Sequence, residues 1–214
     1  MGEVSARDLT GMFEAVAAAI DREKDRLSEL DGVIGDADHG VTMDIGLKAV
    51  VKALSAEGAA ADPMTVFSTA AKSFLNAVGA SSGPLYATAF LRAAAVAKGR
   101  ETLDAEAMTE IVAAMAEGIR HRGKGERGEK TMLDAWLPAA EAGRAARAGG
   151  QGLAASLAAA ATAAEEGAEA TKDMLAARGR ASRLGERAIG HIDPGAASAA
   201  LILRTIADHF AGRD

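Results

Sequence analysis

The 214-residue chain contains no cysteine, which excludes a disulfide framework and any thiolate metal site. Aromatic residues make up only 3% of it and proline only four positions. Alanine-rich segments poor in aromatics and valine make poor strands. An excess of basic charge is missing too. Against 24 Lys and Arg stand 30 Asp and Glu, a net charge of −6, which argues against a general nucleic-acid binder. No apolar run is long enough for a membrane span. The blandest stretch, residues 152–164, is mostly alanine and shorter than the ~20 residues a bilayer requires. The chain opens on Glu3, Arg7 and Asp8 without an apolar signal core, so a cytoplasmic protein is expected.

Alanine is what the chain has in abundance, roughly a quarter of all residues, and it is the strongest helix former. The length fits one domain, residues 1–214, burying roughly 70% of its unfolded surface. Apolar spacing at i, i+3, i+4 and i+7 predicts eight helices and no strand. They fall over residues 5–30, 39–54, 62–78, 83–98, 104–122, 130–148, 151–177 and 194–211. Ser5 with Asp8 reads as a capping box, Asp62-Pro63 as an N-cap followed by an N1 proline, and Asp104 as a further N-cap. Pro138 is expected to bend the sixth helix.

The connections differ in kind. Those after the even helices, residues 55–62, 99–103 and 149–150, are bland, whereas 31–38, 79–83, 123–130 and 178–193 are rich in glycine and charge. In an up-down bundle the odd-numbered connections share one end. That end also carries the N-termini of helices 2, 4, 6 and 8, whose free N–H groups and positive dipole ends attract phosphate.

Three carboxylates, Asp31, Asp36 and Asp38, lie within eight residues of the first of these loops. Carboxylates this close repel unless a cation sits between them, and oxygen-only ligands suit Mg²⁺ or Ca²⁺. An EF-hand would need a carboxylate at position twelve, where Thr42 stands. The competing reading makes Asp31 and Asp38 helix caps and leaves Asp36 to solvent. The run Gly79-Ala80-Ser81-Ser82-Gly83 offers hydroxyls and N–H groups to phosphate, or simply a serine N-cap. The basic stretch 120–130 either closes over a ligand or is a solvated loop. In the last loop Arg180 or Arg183 could balance phosphate charge, and His191 and Asp193 are ligand or hydrogen-bonding candidates.

Taken in order, Asp31…Ile34-Gly-Asp-Ala-Asp-His-Gly40, Gly79-Ala-Ser-Ser-Gly-Pro-Leu85, Gly128-Glu-Lys-Thr-Met-Leu-Asp134 and Gly179-Arg-Ala-Ser…Gly190-His-Ile-Asp-Pro-Gly195 resemble the L subunit of dihydroxyacetone kinase. The resemblance covers almost the whole chain. It implies an all-α, eight-helix antiparallel barrel that binds ADP or ATP through two Mg²⁺ at one end. On it, Asp31, Asp36 and Asp38 are metal ligands. His39, Gly40, Val41, Thr42, Ser81, Ser82, Gly123, Met132, Arg180, Asp193, Pro194 and Gly195 fall where the family contacts nucleotide. Arg180 would also stabilise the charge developing during phosphoryl transfer. Thr42 departs from the asparagine usual in bacterial relatives and cannot reproduce an amide's paired contacts.

The resemblance further implies a separate K subunit holding dihydroxyacetone, and a phosphotransferase-system M subunit that rephosphorylates the bound nucleotide. A homodimer stays open. Two alternatives are an ATP-dependent kinase subunit for dihydroxyacetone or a ketose such as erythrulose, and a nucleotide-sensing partner of a transcription regulator. A fatty-acid kinase domain is disfavoured by His39, where that type has threonine. A purely structural bundle would not explain why only the odd-numbered connections are loaded.

Overall fold

A computed structural model describes residues 3–57 and 62–213. Part of the predicted 55–62 connection, residues 58–61, lies outside them. Among the described residues eight α-helices follow in order: α1 (Ala6–Ile34), α2 (His39–Glu57), α3 (Pro63–Ala77), α4 (Ser82–Ala97), α5 (Ala105–Gly123), α6 (Leu133–Ala148), α7 (Leu153–Ala170) and α8 (Pro194–His209). Each packs against the next, and α1 packs against α8, so the helices close into a ring. Among the described residues the sole strand-like feature is one antiparallel bridge, Val4 to Leu103.

The predicted caps form. Ser5 and Asp8 exchange side-chain and backbone hydrogen bonds as a capping box. Asp62 accepts from Thr65 N–H at 2.6 Å and Asp104 from Ala107 N–H at 2.8 Å. These carboxylates take up N–H groups that have no partner inside their helices.

Four boundaries move by three residues or more, among them the second helix, which runs on to Glu57 rather than ending at residue 54. The first helix runs on to Ile34 rather than stopping at residue 30, so Asp31 stands on a helix and not in a loop. It ends only where Gly35 N–H reaches the Asp31 carbonyl at 2.5 Å. The sixth begins at Leu133, because Lys130 adopts φ 59°, outside helical space. The seventh ends at Ala170 instead of 177, which lengthens the last connection to residues 171–193. That connection holds short 3₁₀ turns at Thr171–Asp173 and at Ala181–Ala188, the latter divided at Gly185. Helix α6 passes through Pro138 as one element.

The few aromatics are gathered rather than spread. Phe13, Phe67, Phe74, Tyr86, Phe90 and Trp136 pack edge-on or tilted against one another, with centroids 5.5–6.4 Å apart. Alanines fill the remaining interface, which lets the helices lie close together. The barrel centre is apolar and holds only a small cavity of about 30 Å³ among these rings, and the recessed chemistry sits at its end.

Candidate nucleotide and metal site

A cavity of about 600 Å³ opens at the end of the barrel where the odd-numbered connections meet. Its wall takes residues from all four, among them Asp31, Asp38 and Thr42, Ser81 and Ser82, Lys130 and Met132, and Arg178, Arg180 and Asp193. A second cavity of about 360 Å³ shares Ser81, Leu85, Thr131 and Met132 with it and extends to Gly123 and Gly125.

The aspartate trio converges: one carboxylate oxygen from each of Asp31, Asp36 and Asp38 lies within 4.8 Å of the others. Asp31 is buried while Asp36 and Asp38 are exposed. Asp31 Oδ2 accepts from Asp38 N–H at 3.0 Å and His39 N–H at 3.3 Å. It therefore caps the start of α2 from across the loop with one oxygen, so the capping and ligand readings are compatible. Gly35 makes room for this carboxylate, since a Cβ there would lie 2.0 Å from Asp31 Oδ1. Burial, then the neighbouring Asp36 carboxylate, push the Asp38 carboxyl above its ordinary range. Arg180 answers that negative charge by donating from Nη1 to Asp36 Oδ1.

The residues fit a hard divalent cation. All three are oxygen donors, one oxygen from each lies within 4.8 Å of the others, and Asp36 and Asp38 stand at the surface. Arg180 neutralises part of the charge of this trio through Asp36.

His39 is fixed behind the trio. Ser198 Oγ donates to the Gly195 carbonyl at 3.0 Å, so His39 Nε2–H donates to Ser198 Oγ at 2.8 Å. This ties the start of α2 to α8. Burial lowers the His39 pKa, partly opposed by the charge of Asp31. Thr42, Ser81, Ser82, Met132, Arg180, Asp193, Pro194 and Gly195 also line the main cavity. Gly123 lines the second cavity. Gly40 and Val41 lie outside both walls. At Gly40 a Cβ would meet the Lys24 carbonyl at 1.8 Å, so this glycine lets α2 cross α1 closely. Val41 is exposed. His191 takes part through its backbone carbonyl, which accepts from Lys130.

Asp193 caps α8, accepting from Ala196 N–H at 2.8 Å. Burial pushes its carboxyl up to about 7, against the pull of that N–H and of Lys130. The folded chain thus holds this proton after an unfolded aspartate, near 3.8, has lost it. The stability Asp193 contributes is complete below about pH 4 and is lost as pH rises through about 7. Asp193→Asn keeps a capping oxygen and removes the titration. Its unfolding equilibrium should match the unsubstituted chain at pH 4 and favour the variant by at least about tenfold at pH 8. Urea unfolding at both pH values checks this, and a pH-independent difference would contradict it.

The sequence reading overlooked Lys130, Asp134 and Arg178. Lys130 and Asp134 are each 1% exposed. Asp134 accepts from Gly128 N–H at 2.5 Å and Thr131 N–H at 2.8 Å, shaping the turn before α6. Arg178 stands on the cavity wall and donates to Glu129 at 2.5 Å. The only sequence signal for them was a basic, glycine-rich stretch, which does not show which lysine is buried.

The fold and mouth define an all-helical barrel with a carboxylate trio, arginines and helix N-termini converging at one end. Residues 33–208 match the DAK2 domain, and the chain belongs to the DAK2 domain family, aligning with its L subunits. It is 44% identical over 187 residues to the ADP-binding subunit DhaL of PEP-dependent dihydroxyacetone kinase 1 from Listeria innocua, covering 87% of this chain and 88% of that one. The corresponding subunit from Escherichia coli is 40% identical over 86% of this chain and 88% of its own. The crystal structure of the C. freundii dihydroxyacetone kinase in complex with AMP-PNP and Mg²⁺ superposes with a TM-score of 0.71 at 26% identity. The match covers 97% of this chain and 34% of that one, so the chain spans about a third of that kinase. These relatives are phosphotransferases, and the family read from the four loop motifs is the one the matches show.

Proposed function

We propose that residues 1–214 form a single nucleotide- and Mg²⁺-binding domain that serves as the L subunit of a dihydroxyacetone kinase. It transfers a phosphoryl group from bound nucleotide to dihydroxyacetone held on a separate K subunit. A phosphotransferase-system M subunit then restores the nucleotide. The observation that carries this reading is the convergence of Asp31, Asp36 and Asp38 within 4.8 Å at the mouth of a cavity lined by helix N-termini. The donor assignment is supported by the PEP-dependent names of the Listeria and Escherichia relatives.

Phosphoryl transfer requires positioning and charge stabilisation more than covalent help. The trio would hold Mg²⁺, two ions by the family pattern, and bound Mg²⁺ supplies Lewis-acid neutralisation of polyphosphate oxygens. The chain's own groups do the rest. Ser81 and Ser82 at the start of α4, and Pro194 and Gly195 at the start of α8, present a helix N-terminus to phosphate. Arg180 reaches the trio from the last connection and is placed to meet charge on the transferred group. Met132, Leu85 and the Gly123 side of the second cavity offer an apolar slot for a base.

Val33, Val41, Ile45, Leu75, Leu175 and Ile189 are exposed on the helix ends and connections of this half of the barrel, and they would offer apolar surface to the subunit that carries the ketose. No helix among the described residues is long and apolar enough to cross a membrane.

The test combines the purified chain with a K subunit and dihydroxyacetone, and supplies either ATP or a phosphoenolpyruvate relay. Turnover with the relay is expected. Full turnover with ATP alone would make the chain an ATP-dependent subunit, and no turnover with either would refute the kinase reading.

A further inference from the structure

Residues 171–193 form a strap that has an apolar cluster of its own beside the barrel core, and Ile192 near its end packs on that core. Ile34, Ala176, Ala181 and Ala188, with Leu184 against them, make a small apolar cluster between the strap and the end of α1. Four small or medium side chains bury little surface, so the cluster alone holds the strap weakly. Its ends are tied instead by polar contacts. Asp193 N–H donates to Thr171 Oγ1 at 2.9 Å, and Gly190 N–H donates to the Lys172 carbonyl at 2.8 Å. Lys130 sits between those ends, and its Nζ donates to the carbonyls of both Thr171 and His191.

A lysine that is 1% exposed is costly unless its ammonium is hydrogen-bonded and opposed by charge. Here two carbonyls accept from it, and the nearby carboxyls of Asp193, Asp173 and Asp134 offset part of the burial that lowers its pKa. Lys130 also holds φ 59°, a left-handed backbone conformation that a non-glycine residue keeps only when its surroundings enforce it. The strap that it ties carries Arg180, which reaches back to Asp36.

We propose that Lys130 is a positioning residue: it rivets the two ends of the strap and thereby sets where Arg180 stands over the carboxylate trio. The effect on turnover rests on the kinase reading above, whereas the effect on the strap does not.

Hydrogen exchange read by mass spectrometry on the purified chain tests the rivet. In Lys130→Met, amides of residues 174–191 should exchange about tenfold faster, while α2 and α5 change by less than about twofold. Unchanged strap exchange, or equal acceleration through every helix, would overturn the proposal. Should that variant not fold, the unsubstituted chain decides. The strap should open as one unit together with residues 128–132, and independent opening of its two ends would refute the rivet. In the kinase reconstituted with a K subunit, Lys130→Met should lower kcat per folded molecule about tenfold at saturating nucleotide. A lysine with a merely structural role would lower only the folded fraction, and an unchanged kcat would overturn the positioning of Arg180. Absence of turnover in the unsubstituted chain would count against the kinase reading and leave the exchange result to judge the rivet.

Discussion

Asp36→Asn should weaken Mg²⁺-dependent ADP binding by more than about 100-fold, because residues that merely orient metal ligands already cost ten- to a hundredfold when replaced. Asp36 is the cleanest of the trio to change. Its side chain is exposed, and it caps no helix. Asp31, by contrast, accepts two N–H groups at the start of α2, so its replacement would disturb that helix as well as the ligand set. An asparagine at position 36 keeps the size and removes the charge that a divalent cation requires. Calorimetric titration of ADP with and without Mg²⁺ reads the effect, and circular dichroism should be unchanged. Retention of full Mg²⁺-dependent affinity would end the metal assignment.

Arg180→Ala should lower phosphoryl transfer by about 10³-fold while changing Mg²⁺–ADP affinity by less than about tenfold. The asymmetry follows from what the side chain does in each state. In the structure its guanidinium pairs with Asp36, so a cation bound by the trio competes with that pair. Removing the arginine removes a competitor for Asp36 as well as a partner for phosphate, and the two effects on binding oppose one another. Charge that develops only during transfer has no such offset. Arg180→Lys should recover little, because an ammonium cannot reproduce the planar two-donor fork. Steady-state turnover with the K subunit, beside the same titration, checks both halves. Equal losses of affinity and turnover would place Arg180 in ground-state binding instead.

Much of this was legible before any coordinates. The capping pairs at Ser5 and Asp8, at Asp62 and at Asp104 are local events within four residues, and each forms as its spacing predicts. The gathering of loaded connections at one end follows from helix count alone, since an up-down ring leaves every odd connection on the same side. Asp31, Asp36 and Asp38 needed only short-range geometry to meet. The end of α7 shows why boundaries are harder. Thr171 and Asp173 are only weak helix formers, and in the fold the Thr171 carbonyl accepts from Lys130 while its hydroxyl accepts from Asp193 N–H, contacts that local pattern does not record. Gly40 illustrates the same limit: its packing against Lys24 depends on how two helices cross.

The sequence by itself determined an all-helical chain, the position of its caps, the end at which its polar loops collect and the family to which it belongs. These follow from periodicity and from motifs read in order. Only the tertiary structure decided which lysine is buried, which oxygen of Asp31 holds α2, that Arg180 stands opposite Asp36, and that the strap has an apolar cluster of its own. Those contacts join residues far apart in the chain, Lys130 to His191 and Asp36 to Arg180, and depend on the closure of α1 against α8. Local propensity carries no record of that closure, because its driving force is burial shared by all eight helices at once.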